Sequence, residues 1–399
     1  MRSIFFAALA CTTCLSAQDS WTPLLPGNDT AGWSQKGGKA LYEIKDGVVT
    51  GKSVLNTPNS FLCTDKLYGD FILEYEFKID ERLNSGVQIR SNSLPEYDNG
   101  RVHGYQVEID PDVKRGRLWS GGIYDEGRRG WLNPLDKPEH EAARKALKPG
   151  DWNKVRVEMD GANIRTWLND VPAADLVDAM TLQGFIALQV HGVGKSADHD
   201  GLTVQWRHLR IQDKGRHEWQ PLMDGKSLAG FKPTEGGKWE VIDGILTGTS
   251  PASESKHGIL LSNASYADFC MKFQFRVTTG NSGFYFRSEP VAEAVSIHGF
   301  QAEVDDKMDT GGIYETGGRG WVAQVDLTKI GDRKKPCYKP GEWADMVVTA
   351  QGDRYTIHVN GQRTVDVRDP KGRRNGRIGF QLHGGMEMKV EFKDLSILK

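Results

Sequence analysis

The stretch that decides the fold is Gly104-Tyr105-Gln106-Val107-Glu108-Ile109-Asp110. Successive side chains of a strand point to opposite faces, so Tyr105, Val107 and Ile109 seek a core while Gln106, Glu108 and Asp110 share the other face. The pattern returns as Gly299-Phe300-Gln301-Ala302-Glu303-Val304-Asp305. Outward from these two segments the same alternation runs through 71–77, 155–159 and 355–359, and period two means strands. Asn169-Asp170 and Asn360-Gly361 are hairpin signals between such runs. Helical periodicity is nearly confined to Glu139 to Leu147.

Compared with itself, the chain repeats in order. Trp21-Thr-Pro-Leu is echoed by Trp219-Gln-Pro-Leu, Asp46-Gly47 by Asp243-Gly244, Asn84-Ser85-Gly86 by Asn281-Ser282-Gly283, and Gly121-Gly122-Ile123-Tyr124 by Gly311-Gly312-Ile313-Tyr314. The echo closes with Gln189-Val190-His191-Gly192 against Gln381-Leu382-His383-Gly384. An offset of 190 to 198 residues is a duplicated domain, since solenoid units are far shorter. The expected division is 18–213 and 214–399, around the polar segment Asp213-Lys214-Gly215-Arg216. Each copy is expected to be an all-β antiparallel sandwich, and its size favours a jelly roll over an immunoglobulin-type sandwich.

Composition limits the partners. With 51 Lys plus Arg against 53 Asp plus Glu the formal net charge is −2, which gives no electrostatic reason for nucleic acid or an anionic membrane as partner. The apolar run Ile4 to Ala10 after Arg2, with small residues through Ala17, reads as a secretory signal, residues 1–17, and predicts an exported chain, periplasmic or extracellular. No later segment has the roughly 20 consecutive apolar residues of a membrane helix. Beyond the signal only Cys63, Cys270 and Cys337 remain, an odd, sparse set that makes no disulfide framework.

Three strands per copy carry polar groups together. Beside Gln106, Glu108 and Asp110, the strand after Asn84-Ser85-Gly86 sets Gln88 and Arg90 on one face by alternation, and 186–191 does the same for Gln189 and His191. The second copy offers Tyr285 and Arg287, Gln301, Glu303 and Asp305, and Gln381 and His383. The loops 121–131 and 311–321 add Tyr124, Asp125, Arg129 and Trp131, and Tyr314, Glu315, Arg319 and Trp321. Aromatic faces beside acids and arginines suit a sugar, whose C–H face stacks while its hydroxyls bond. The two histidines fit a structural role, tying a loop carbonyl, as well as a catalytic one. The copies differ: eleven positions separate Asp110 from Gly121 but six separate Asp305 from Gly311, the extra residues including Arg115, Arg117 and Trp119. The first copy also carries Lys195 to Asp200 after His191, so it is the more elaborated.

The Trp-x-Pro-Leu opening, the Asn-Ser-Gly-x-x-x-Arg strand, the Gly-(Tyr/Phe)-Gln-x-Glu strand, the Gly-Gly-Ile-Tyr loop, Trp152 and Trp343 before a strand, and the Gln-x-His-Gly end together resemble the 3-keto-disaccharide hydrolase domain family, twice over nearly the whole chain. The resemblance implies a concanavalin A-like jelly roll and hydrolytic or eliminative action on 3-keto-glycosides. In that chemistry a ketone at C3 acidifies the C2 hydrogen, a base removes it, the C1 oxygen leaves and water adds. On this reading Glu108 or His191 is the base, Arg90 clamps the enolate or a hydroxyl, and Asp110 is an acid or metal ligand; Glu303, His383, Arg287 and Asp305 take the same parts in the second copy. A divalent ion such as Ca²⁺ could stabilise the enolate, although no Asp-rich loop shows a recognised ligand spacing. Two other classes stay open: a noncatalytic, lectin-like carbohydrate-binding protein, and a conventional glycosidase using Glu108 and Asp110.

Overall fold

A computed structural model describes residues 20–25, 27–114, 116–293, 295–305, 309–325 and 338–398. The expected signal, Arg115 and Cys337 lie outside the described residues. The chain divides into Met1–His217 and Glu218–Lys399.

In the first unit one sheet runs Val171–Val177, Asn163–Leu168, Asn153–Asp160, Asp70–Ile79, Thr203–Gly215, Val48–Lys52, Leu41–Lys45. The other, called here the site sheet, runs Gly130–Asn133, Ile123–Glu126, His103–Ile109, Ser85–Asn92, Phe185–Val190, Ser60–Thr64, Trp33–Gly37. The second unit repeats both, its site sheet running Phe231–Pro233, Gly258–Tyr266, Gly376–Leu382, Asn281–Pro290, Ile297–Asp305, Ile313–Thr316, Gly320–Ala323. Among the described residues the α-helix is the single short segment Glu141–Ala146, as the periodicity predicts.

Alternation builds the core. Phe71, Leu73, Tyr75 and Phe77 from one sheet meet Tyr105, Val107 and Ile109 from the other, all buried. In the second unit Phe273 and Phe392 meet Phe300, Phe380 and Val304. Each such side chain removed from water contributes about 1.5–3 kcal/mol. Cys63 and Cys270 are buried free thiols. The hairpin residues Asn169 and Asp170 have φ of 49° and 66°, and Asn360 and Gly361 46° and 74°, the left-handed pair that a two-residue turn demands. Asp213, expected in a connector, is still paired with Phe71 in the strand Thr203–Gly215.

Candidate functional site

The site sheet of the first unit holds a continuous amide ladder on its outer face. Ser91 Oγ donates to Gln88 Oε1 (2.7 Å), Gln88 Nε2 donates to Gln106 Oε1, and Gln106 Nε2 donates to Glu108 Oε2 (2.8 Å). Asn84 Nδ2 takes the other carboxyl oxygen at 2.7 Å. Gly86 pairs with Glu108 across the strands, and a Cβ there would meet Gln106 Cδ at 2.5 Å. Only glycine lets Gln106 lie flat along the sheet toward the carboxyl group. Gly283 gives Gln301 the same room.

Glu108 is 4% exposed. Burial pushes its carboxyl up to about 7, with Asp110 adding to the rise and the Asn84 and Gln106 amides holding it down. Glu303, with Asn281 Nδ2 at 3.3 Å, is driven up to about 8, again chiefly by burial. A carboxyl group tuned to neutrality can both take and return a proton.

Two residues along the strand, Asp110 receives Arg117 Nε and Nη2 on one oxygen, at 2.9 and 2.5 Å. Burial raises its carboxyl while Arg117 opposes the rise. The Arg117 guanidinium lies 4.9 Å from the Trp119 ring centre and 5.9 Å from that of Trp131. Trp131 meets Trp119 and Tyr124 edge-on, with centres 5.0 and 5.3 Å apart. A cleft of about 620 Å³ is lined by Asn84, Asp110, Arg117, His191 and His199 among others. His191 is exposed at the end of Phe185–Val190, with Nδ1 2.8 Å from the Gly192 carbonyl. A carbonyl only accepts, so Nδ1 carries the proton and Nε2 of the neutral ring is left as the acceptor.

Gln189 is fully buried beside Gly86, and neither of its amide atoms has a hydrogen-bonding partner among the described residues. In the second unit the equivalent Gln381 is tied in: Gln301 Nε2 donates to its Oε1 (3.2 Å), and its own Nε2 reaches His257 Nδ1 (3.1 Å) and Tyr285 Oη (3.3 Å). Tyr285 Oη also meets Thr316 Oγ1. His383 Nδ1 bonds the Gly384 carbonyl (2.6 Å), and its ring lies 4.2 Å from that of His257, whose pKa burial and this neighbour depress to about 4. Asp305 meets Thr310 Oγ1 at 2.9 Å. Tyr314 and Trp321 pack edge-on at 5.5 Å, and Trp321 is 38% exposed.

Arg90 does not share the face of Gln88. Its φ is 47°, and the pairing register slips between Ile89 and Asn92, so this bulge turns the side chain into the interior. There, fully buried, it donates to the carbonyls of Gly69 and Gly161 (2.6 Å each) and to Asp70 Oδ1 (2.7 Å). Arg287, φ 46°, does the same with Ala267, Gly352, Arg373 and Asp268. Asp125 and Arg129 are likewise not with Glu108. Asp125 pairs with Tyr105 across the strands and is held by Arg128 and Arg129, while Arg129 reaches Asp178 at 2.8 Å. Glu315, Arg319 and Asp369 repeat that clamp. Asn84 and Arg117, absent from the expected contact set, are the additions; the recurring Asn-Ser-Gly and the extra loop were their signals.

Metal fits poorly on these donors. Asp110 already has a guanidinium on it. Asp70, Asp160 and His217 bring ligand atoms within 4.8 Å of one another, but Asp70 accepts from Arg90, from the Gly161 N–H and lies 2.7 Å from His217 Nδ1. A fixed guanidinium supplies the countercharge a dication would bring.

Two tandem β-sandwiches, each with a buried carboxyl group on its site sheet, Glu108 in the first and Glu303 in the second, define a duplicated domain. The chain belongs to the 3-keto-alpha-glucoside-1,2-lyase-like domain family, matched over residues 20–212 and again over 218–398. No curated protein matches it. Among solved structures it is similar to a Parabacteroides distasonis protein named for glycosyl hydrolases (19% identity, 45% of this chain, 93% of that one, TM-score 0.34). It is also similar to the carbohydrate binding module CBM66 of Bacillus subtilis (22%, 45% and 100%, 0.33) and to a Bacillus subtilis protein with a galectin-like fold (12%, 49% and 94%, 0.36). Among the described residues no helix is long and apolar enough to cross a membrane.

Proposed function

We propose that this is an exported enzyme that cleaves 3-keto-glycosides or 3-keto-disaccharides by C2 proton abstraction, elimination at C1 and hydration. The observation that carries the reading is Glu108: buried, ionising at about 7, and fixed by two amides, one of them from Asn84 on the wall of the cleft. It is the base. His191, whose Nε2 is left as an acceptor on the cleft, takes a proton from the water that adds at C1. The family supports the reaction class, and residues 1–17 support export. The second unit favours a binding role, because Gln381 and Gln301 already bond each other while Trp321 is exposed.

Incubation of the mature chain with matched glucosides and their 3-keto forms, with and without chelator, tests this. Release of aglycone from the keto form alone, unaffected by chelator, is expected. Binding without release from either form would make the protein a carbohydrate-binding one, and release from the unoxidised glucoside a conventional glycosidase.

A further inference from the structure

Resting on that reading, we propose that Arg117 is the specificity-determining residue of the first unit, the donor that meets the O3 oxygen of a 3-keto sugar as it takes on enolate charge, so that only this unit turns the substrate over. Arg117 lines the cleft together with His191 and with Asn84, the residue that holds Glu108. Its Nε and Nη2 grip Asp110, which leaves Nη1 outside the pair. Trp119 and Trp131 lie against the guanidinium, so its plane is set before any sugar arrives. A donor fixed in advance is the arrangement that stabilises developing negative charge, because nothing need reorganise when the charge appears. Arg90, the cation that alternation nominates for this part, is fully buried and bonded elsewhere.

The loop that carries Arg117 exists once. The segment between Asp305 and Gly311 has a single lysine, Lys307, and neither arginine nor tryptophan. Lysine presents a flexible point charge without the planar fork, and cannot both hold the aspartate through two N–H groups and offer a third in a fixed direction.

The bonds balance. The C2–H bond breaks as Glu108 takes the proton, and the electron pair forms C2=C3 while O3 gains the charge opposite Arg117. The pair then returns to rebuild C3=O and forms C1=C2 as the C1–O bond breaks, and the leaving oxygen takes the proton held by Glu108, which restores its carboxylate.

The test uses the full mature chain, an aryl 3-keto-glucoside, and the variants Arg117→Ala and Arg117→Lys. Expected for Arg117→Ala is a fall in kcat of about 10²–10³-fold, with KM within about threefold of wild type. Added guanidinium chloride, at concentrations that leave the fold intact, recovers part of that kcat, and Arg117→Lys falls between the two. Turnover by Arg117→Ala within about twofold of wild type overturns the proposal. A loss that guanidinium does not recover, accompanied by a lowered melting temperature in both variants, assigns Arg117 to loop folding and overturns it as well. If the wild-type chain releases nothing from any 3-keto-glucoside, the proposed reaction itself has failed; if it does and only the arginine variants behave otherwise than expected, this inference alone falls.

Discussion

Replacing Arg90 by methionine separates a structural arginine from a catalytic one. The side chain is fully buried, and its removal leaves Asp70, itself 7% exposed at the side chain, as a charge without its guanidinium, and strips donors from two buried carbonyls. Breaking a buried pair by deleting one partner costs about 3–5 kcal/mol. For a unit of this size each kcal/mol shifts the melting temperature by roughly 2–4 °C, so Arg90→Met should melt about 6–20 °C lower. Arg287→Met should lose less, because its partner Asp268 is 62% exposed at the side chain and is rehydrated in place. Differential scanning calorimetry reads both variants, and turnover measured well below the transition should stay close to wild type. An Arg90→Met chain that melts within about 3 °C of wild type and yet has lost its turnover would refute the assignment.

Other consequences follow from Glu108 and its supports. Glu108→Gln keeps the shape and removes the base, so kcat should fall about 10²–10⁴-fold, and in the wild type kcat should rise with pH through an ionisation near 7. Gly86→Ala drives a methyl group into Gln106 and takes a donor from the ionised carboxyl, so the pH–rate limb should move upward and turnover should drop. Glu108 and Glu303 have folded pKa values of about 7 and about 8 against an ordinary 4.5. Their contribution to stability is complete below 4.5 and is lost as pH rises through about 7 and 8. The urea midpoint should therefore decline across that window, and Glu108→Gln with Glu303→Gln should flatten the decline.

Much of this was legible in the sequence because strands write their two faces into alternate positions. Tyr105, Val107 and Ile109 lie in the core, and Gln106 and Glu108 share the ladder, as alternation demands. The same counting misassigns Arg90, since a positive φ and a register slip interrupt the pleat, and nothing local distinguishes a bulged arginine from a paired one. Asp125 and Arg129 mislead for another reason. Asp125 is held by Arg128 and Arg129, and the fixed partner of Arg129, Asp178, is far along the chain, so only folding brings it near. Gln106 reads as a sugar contact, yet its amide is fully engaged between Gln88 and Glu108. Arg117 was visible as part of an extra loop, but its grip on Asp110 depends on how that loop folds back.

The central claim is that Glu108 removes the C2 proton of a 3-keto sugar. A 3-keto-glucoside carrying deuterium at C2, followed by aglycone release with wild type and Glu108→Gln at equal protein concentration, tests it most directly. The account predicts a primary isotope effect on wild-type release and a fall of at least about 10²-fold in the variant. Release that is indifferent to C2 deuteration, or that survives Glu108→Gln undiminished, would contradict it.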